Sequence, residues 1–196
     1  MINLSPPFRP ATADDADALA TFINMAGEGL PFYLWSKMAR PGEDPWAVGR
    51  RRAQRTEGGF SYKNAVVAEV DGRVAAGLIG YPLPETPEAI DRDATPPIFV
   101  PLLDLENLVP GTWYLNVMAT DPDYRGQGYG ARLLDIAEQL AAGSGSAGLS
   151  LIVLDANTGA RRLYERAGYR RVADRPVVKD DWACRGENWV LLVKDA

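Results

Sequence analysis

The sequence predicts an α/β protein built on a mixed sheet, and three observations carry that reading. Apolar runs at residues 65–70 and 73–81 flank Asp71-Gly72, and an Asp-Gly pair between such runs signals a tight hairpin turn. Farther on, an apolar run at 113–119 is followed by a glycine-rich turn, a helical pattern and a second apolar run at 149–154. Strand, helix and strand in that order imply a right-handed crossover between parallel strands. Two further runs, 169–172 and 188–194, read as final strands.

The chain begins with a short strand at Phe8 that turns into a helix. Thr12 is suited to the N-cap, and Asp14 and Asp15 stand at the positive end of the helix dipole. Ala16, Leu19, Ala20, Ile23 and Ala26 follow at helical spacing, with Gly27 as a stop. Helical pieces are expected at 32–39 and 46–55, and Arg50-Arg51-Arg52 reads as a solvated helix face. Residues 82–110 hold seven of the fifteen prolines, so an irregular insertion is expected there, either a lid or substrate wall or a plain surface excursion. The crossover helix carries Leu133, Leu134, Ala137, Leu140 and Ala141 on one face and ends in Gly143 to Gly148. A last helix, 158–167, is closed by Gly168. At this length one domain over 1–196 is expected.

Composition removes several function classes. The chain has no histidine, which excludes an imidazole base, a His-ligated zinc and a Ser-His-Asp triad. Its single cysteine, Cys184, forms no internal disulfide and no Cys-rich metal site, and it fits a reducing cytoplasm. A net charge of -5 argues against nucleic acid and anionic membranes as partners. No apolar run reaches the roughly 18 residues of a membrane span, and Met1 to Asp17 has neither the basic start nor the apolar run of a secretory signal. Trp35, Trp46, Trp182 and Trp189 are expected as core or pocket-wall aromatics.

The chemistry concentrates at Arg125-Gly126-Gln127-Gly128-Tyr129-Gly130. Glycines here permit positive φ and close backbone approach, and successive N–H groups at a helix start form a donor surface for phosphate. The Gly-Lys-Ser/Thr ending of a Walker loop is absent. Gly126-Gln-Gly128-Tyr-Gly-Ala131 matches the dinucleotide fingerprint formally, but Thr120 to Arg125 intervene after the strand and no acid stands about 20 residues on. A dinucleotide-dependent oxidoreductase is therefore the weakest reading. Ten basic side chains face seventeen acidic ones up to residue 124, whereas seven face four over 125–171. The glycine region is thus locally basic in an acidic protein. The acidic remainder favours a cationic acceptor, or serves solubility alone.

Two stretches carry a family resemblance: Leu115-Asn-Val-Met-Ala-Thr-Asp-Pro-Asp-Tyr-Arg-Gly-Gln-Gly-Tyr-Gly130, and Asn157-Thr-Gly-Ala160-Arg-Arg-Leu-Tyr164-Glu-Arg-Ala-Gly168-Tyr169. Together they resemble the GNAT superfamily of acyl-CoA-dependent N-acetyltransferases. The resemblance implies a mostly antiparallel twisted sheet, its parallel fourth and fifth strands splayed around the cofactor, with helices on both faces. It implies acetyl-CoA as cofactor. The main chain of Met118, Ala119 and Thr120 would pair with the pantetheine arm, and the backbone of Arg125, Gly126, Gln127, Gly128, Tyr129, Gly130 and Ala131 would hold the pyrophosphate. Asn157 and Ala160 would contact the cofactor near the pantetheine or thioester, and Tyr164 would face the sulfur as proton donor.

One position departs from the family pattern. Many relatives carry Glu on the fourth strand where this chain has Asn116, which cannot take a proton but can orient a water or the acceptor. The base stays open between Glu106, Asp121 and water. A covalent route through Cys184 is disfavoured because no imidazole activates it. The implied activity is direct acetyl transfer, in a ternary complex, to a primary amine of a small molecule or peptide. The alternative is a non-catalytic acyl-CoA-binding module; a homodimer stays open for either.

Overall fold

The computed structural model describes residue 2 and residues 4–195; Met1, Asn3 and Ala196, over which the single-domain expectation also runs, lie outside the described residues. Seven strands, β1 (Phe8–Pro10), β2 (Ala65–Val70), β3 (Arg73–Pro82), β4 (Trp113–Thr120), β5 (Gly148–Leu154), β6 (Arg170–Pro176) and β7 (Asn188–Asp195), form a sheet in the order β1-β2-β3-β4-β5-β7-β6. β4 and β5 run parallel, and the pairs β1–β2, β2–β3, β5–β7 and β6–β7 are antiparallel. The described residues also form six α-helices: α1 (Ala16–Ala26), α2 (Leu30–Met38), α3 (Pro45–Ala53), α4 (Val100–Glu106), α5 (Tyr129–Ser144) and α6 (Thr158–Arg166). This is the mixed, mostly antiparallel α/β fold expected from the sequence. The chain divides into two compact units, Ile2–Gly80 with Asn116–Leu133, and Tyr81–Leu115 with residues 134–195.

In the first unit the β2–β3 hairpin turns on Asp71 (φ 50°) and Gly72 (φ 74°), both left-handed as a two-residue turn of this twist requires. Leu19, Phe22 and Ile23 of α1 pack with Trp35, Val48, Val67 and Ile79 into a buried cluster. Helices α2 and α3 start earlier than the expected 32 and 46, because a proline sits in the first turn of each, where its missing N–H is no loss. Asp44 caps α3 by accepting from Trp46 N–H at 3.0 Å. The arginine run faces the protein's own acids: Arg50 pairs with Asp17 and Asp44, and Arg51 with Glu43.

Thr12 stands at the N-cap of a 3-10 turn, Ala13–Asp15, that leads into α1. The buried Asp15 carboxylate accepts from both terminal nitrogens of Arg9 at 2.8 Å and from Thr12 N–H at 2.7 Å, while Arg9 Nε donates to Glu69 at 2.7 Å. One guanidinium thereby ties β1 to the start of α1 and to β2.

In the second unit β5 pairs with β7 along its whole length, from Gly148 with Asp195 to Leu154 with Trp189. Leu151, Leu191 and Leu192 are fully buried there. The segment expected to be irregular contains α4, which packs on β6 and β7. Pro101 lies in its first turn, so a proline that reads as a breaker begins a helix, and Leu105 buries the other end. β6 continues to Pro176, beyond the expected 172. Asp155 pins the turn before β7 by accepting from the backbone N–H groups of Glu187 and Asn188 and from the Asn188 amide, each at 3.0 Å. Trp182 and Trp189 stack with centroids 5.9 Å apart, and half-buried Cys184 donates to Gly186 O at 3.7 Å. Among the described residues no helix is long and apolar enough to cross a membrane, and no group of three acidic or cysteine side chains is placed to hold a metal ion.

Burial alone would raise the Asp15 carboxyl, but the hydrogen bonds from Arg9 and Thr12 outweigh it and hold the group below the usual carboxylate range. The stabilisation is therefore present above the unfolded-state pKa of about 3.9 and is lost as pH falls through the lower folded value. Asp15→Ala is expected to cost about 2 kcal/mol at pH 7. Urea unfolding of both proteins from pH 7 to pH 2.5 checks this: the difference should shrink only below about pH 4.

Candidate active site

In the first unit, β4 delivers the chain to the glycine turn. Along its last residues Asn116, Met118, Ala119 and Thr120 are half-exposed and Val117 is buried. Asp121 N–H then donates to Ala75 O at 2.9 Å, and the Asp121 carboxylate accepts from Asp123 N–H at 3.0 Å, capping the 3-10 turn Pro122–Tyr124. Asp121 is thus engaged in shaping the turn.

Gly126 (φ 74°) and Gly128 (φ 83°) are left-handed, and a Cβ at either would meet no atom within 4 Å. The turn is open to solvent and bare of side chains on that face. The opening N–H groups of a helix have no acceptor within it; here Arg132 N–H reaches back to Gly128 O at 3.2 Å. Tyr129 is held inward, its ring edge-on to Tyr124 and Phe8, and the Arg132 guanidinium lies 4.5 Å over Phe8. The turn is thus exposed, with backbone donors at a helix start, the kind of surface that can receive a phosphorylated group.

In the second unit, Asn157 caps α6 by accepting from Ala160 N–H at 3.1 Å. The two motif residues expected at the cofactor are therefore joined to each other, and their bond fixes the start of the helix that carries Tyr164. That tyrosine is buried, its ring 5.8 Å from Tyr169, and burial pushes its phenol up to about 12. Arg161 is held by Asp155 O at 3.3 Å and Glu165 at 3.8 Å, while Arg162 is exposed.

The same unit contains a carboxyl of unusual affinity for protons. Glu106, the last residue of α4, is pushed up to about 7, first by burial, against the hydrogen bond it accepts from the Tyr114 hydroxyl, and with help from the nearby charge of Glu88. Burial first, and then the neighbouring Glu106 carboxylate, hold the Tyr114 phenol well above the usual range, and its ring meets Tyr81 edge-on at 5.9 Å. Glu106 lines an open cavity of about 270 Å3 whose lining residues fall between Leu83 and Pro110. The role of Tyr114 was not legible beforehand; the available signal is its place on β4, two residues before Asn116 and so in phase with it along the strand.

A mixed sheet whose one parallel crossover starts in a bare glycine turn is the fold of the acetyltransferases. Residues 32–169 match the acetyltransferase (GNAT) family, and the chain belongs to that family, whose cofactor is acetyl-CoA. Solved structures agree on the fold. An acetyltransferase superposes with a TM-score of 0.66 at 21% identity over 96% of this chain and 98% of its own. The polyamine N-acetyltransferase of Drosophila melanogaster, which forms N-acetylagmatine, gives 0.66 at 18% over 96% and 99%, and an N-acetyltransferase of Staphylococcus aureus Mu50 gives 0.63 at 19% over 95% and 99%. A comparison with curated protein sequences finds no match.

The Glu106 environment has a cost in stability whose sign is fixed. A carboxyl raised above its unfolded value of about 4.3 binds its proton more tightly when folded, so stability falls as pH rises from there and levels off above about 7. Glu106→Gln, which keeps the shape and removes the charge, is expected to melt with the native protein at pH 4.5 and above it at pH 8. Equal melting temperatures at pH 8 would contradict the raised carboxyl.

Proposed function

We propose that this protein transfers the acetyl group of acetyl-CoA to a primary amine of a small molecule or peptide by direct attack in a ternary complex. The observation that carries the reading is the carboxyl of Glu106, held at about 7 on Tyr114 in a cavity wall. A primary ammonium of pKa about 10.4 must lose a proton before it attacks, which accounts for about 4 to 5 kcal/mol of the barrier at pH 7. Raising the accepting carboxyl from about 4.3 to about 7 makes that transfer easier by roughly 3 to 4 kcal/mol, while leaving a useful fraction ionised at neutral pH. Glu106 thus supplies the base that the strand position of Asn116 lacks, and Asn116 orients the acceptor or a water.

Bound acetyl-CoA supplies an activated acetyl thioester. The main chain of Met118, Ala119 and Thr120 and the N–H groups from Arg125 to Ala131 are the groups that would hold it, and Asn157 with Ala160 sets the position of α6 and hence of Tyr164. Tyr164 keeps its proton at every physiological pH, because its phenol lies near 12. Set against an ordinary thiol pKa of about 8.5, it acts as a hydrogen-bond donor to the departing sulfur and releases the proton only as that sulfur is desolvated. A mere acyl-CoA-binding module has no need of a carboxyl tuned to the working range of a general base.

Thiol release at saturating acetyl-CoA tests the assignments. Tyr164→Phe should lower kcat about a hundredfold, and Glu106→Gln should lower kcat/KM by roughly 10²–10³. In the native protein activity should climb through pH 7 as Glu106 ionises, and the Glu106→Gln profile should lack that step. Turnover unchanged in both variants would sink the mechanism. For the cradle, Gly128→Ala introduces a Cβ on the open face at a left-handed position, with a strain of about 1 kcal/mol. Calorimetry should then find acetyl-CoA bound at least tenfold more weakly, with only a few degrees lost in Tm.

A further inference from the structure

We propose that Tyr124 is a positioning residue for the cofactor: its ring closes the glycine turn at residues 125–128 and holds the backbone donors there in order before acetyl-CoA arrives. The proposal rests on the reading above that seats acetyl-CoA on this turn, and it adds the device that orders the turn. Every group it involves belongs to the first unit, as does the turn itself.

The turn has little means of ordering itself. Gly126 and Gly128 are left-handed, and a Cβ at either would meet no atom within 4 Å. Glycine has more backbone freedom to lose than any other residue, and a turn that froze only on contact would bind more weakly for it. The two ends of the turn are fixed separately. Upstream, Asp121 N–H donates to Ala75 O of β3 and Tyr124 N–H to Asp121 O, each at 2.9 Å. Downstream, Tyr129 begins α5, buried and edge-on to buried Phe8 with centroids 6.4 Å apart. The rings of Tyr124 and Tyr129 then join one end to the other, edge-on at 6.5 Å and 78°.

Tyr124 is itself gripped from the β2–β3 hairpin. Arg73, the first residue of β3, lies 5.5 Å over its ring and pairs with the adjacent Asp123 at 3.6 Å. At the far side, Arg132 lies 4.5 Å over Phe8 and returns the stack to α5. Magnitudes rank these contacts. The Arg73 and Asp123 side chains are 62% and 74% exposed, so their pairing weighs little. A ring pair with one member buried weighs more. The Tyr124 ring therefore comes first, the Arg73 guanidinium second, and the Tyr124 hydroxyl last, since both contacts are made by the ring.

Calorimetry with coenzyme A and amide hydrogen exchange, both on the full chain, test this brace. Tyr124→Ala is expected to weaken coenzyme A about tenfold, Tyr124→Phe to keep the native affinity within about twofold, and Arg73→Gln to weaken it roughly two- to threefold. Without ligand, the Arg132 amide, which donates to Gly128 O across the end of the turn, should exchange at least about tenfold faster in Tyr124→Ala, while the Leu151 amide of the second unit keeps its rate. A general loss of stability would speed both amides alike. Tyr124→Leu, which fills the space without a ring, makes both measurements if the alanine variant fails to fold. Native affinity or native Arg132 exchange in Tyr124→Ala, or a phenylalanine variant as weak as the alanine one, overturns the proposal. Gly128→Ala scores the underlying reading separately. Weak binding there beside native binding in Tyr124→Ala leaves the cradle standing and removes the brace. Native binding in Gly128→Ala removes the cradle, and Arg132 exchange still decides whether Tyr124 orders the turn.

Discussion

A crossover helix must begin with backbone donors that nothing in the helix can accept, and the architecture of this chain depends on where that obligation falls. Soluble helices commonly discharge it with a serine, threonine or aspartate at the N-cap. The chain does so at α3, where Asp44 accepts from Trp46 N–H, and at α6, where Asn157 accepts from Ala160 N–H. At α5 it does otherwise. The residues before Tyr129 are glycines in left-handed geometry with empty space beside them. A helix of sixteen residues, with Leu133 and Leu134 fully buried, is stable enough to begin without a side-chain cap. The stability that lets the turn stay bare comes from packing farther along the helix.

A second constraint follows from composition. Without histidine the chain has no side chain that titrates near neutrality unaided, so burial must move other groups there. It moves carboxyls and phenols in the same direction, because desolvation penalises both anions. Glu106 rises to about 7, and Tyr164 rises away from neutrality and keeps its proton. One physical cause thus yields opposite outcomes at neutral pH, a carboxyl that exchanges its proton and a phenol that keeps it. Asp15 is the contrast: also shielded from water, it stays a low-pKa anion because Arg9 and Thr12 donate to it directly.

Much of this was legible in the residues. The hairpin at Asp71-Gly72, the crossover from β4 through α5 to β5, and the Gly168 stop are written in local pattern, since turn chemistry and hydrophobic period act over a few neighbours. Helix starts were less legible at 30 and 45 because proline is ambiguous: it breaks a helix interior and favours a first turn. The same ambiguity hid α4. Glu106 could be named as a candidate base, but its partner Tyr114 could not, because the pair joins α4 to β4 and depends on a loop of unknown path. Asn157 and Ala160 were expected as cofactor contacts from motif resemblance alone; the structure joins them in a cap, a role that spacing also permits, since an N-cap oxygen reaches the N–H three residues on.

The proline-rich excursion is where stability and chemistry meet. Prolines at 84, 87, 96, 97, 101 and 110 restrict the unfolded chain, so folding this segment forfeits less backbone entropy than its length suggests. That saving offsets the cost of holding a half-buried carboxyl beside a buried phenol, an arrangement that a flexible loop would relax by admitting water. The two hydrogen bonds that Asn107 makes with the backbone of Glu88 and the Arg92–Asp104 pair act in the same sense by fixing the wall around Glu106. The carboxyl of raised proton affinity therefore stands in the same wall that shapes the cavity. Changes in that wall therefore alter the affinity of Glu106 for its proton, since that affinity depends on how much water the wall excludes.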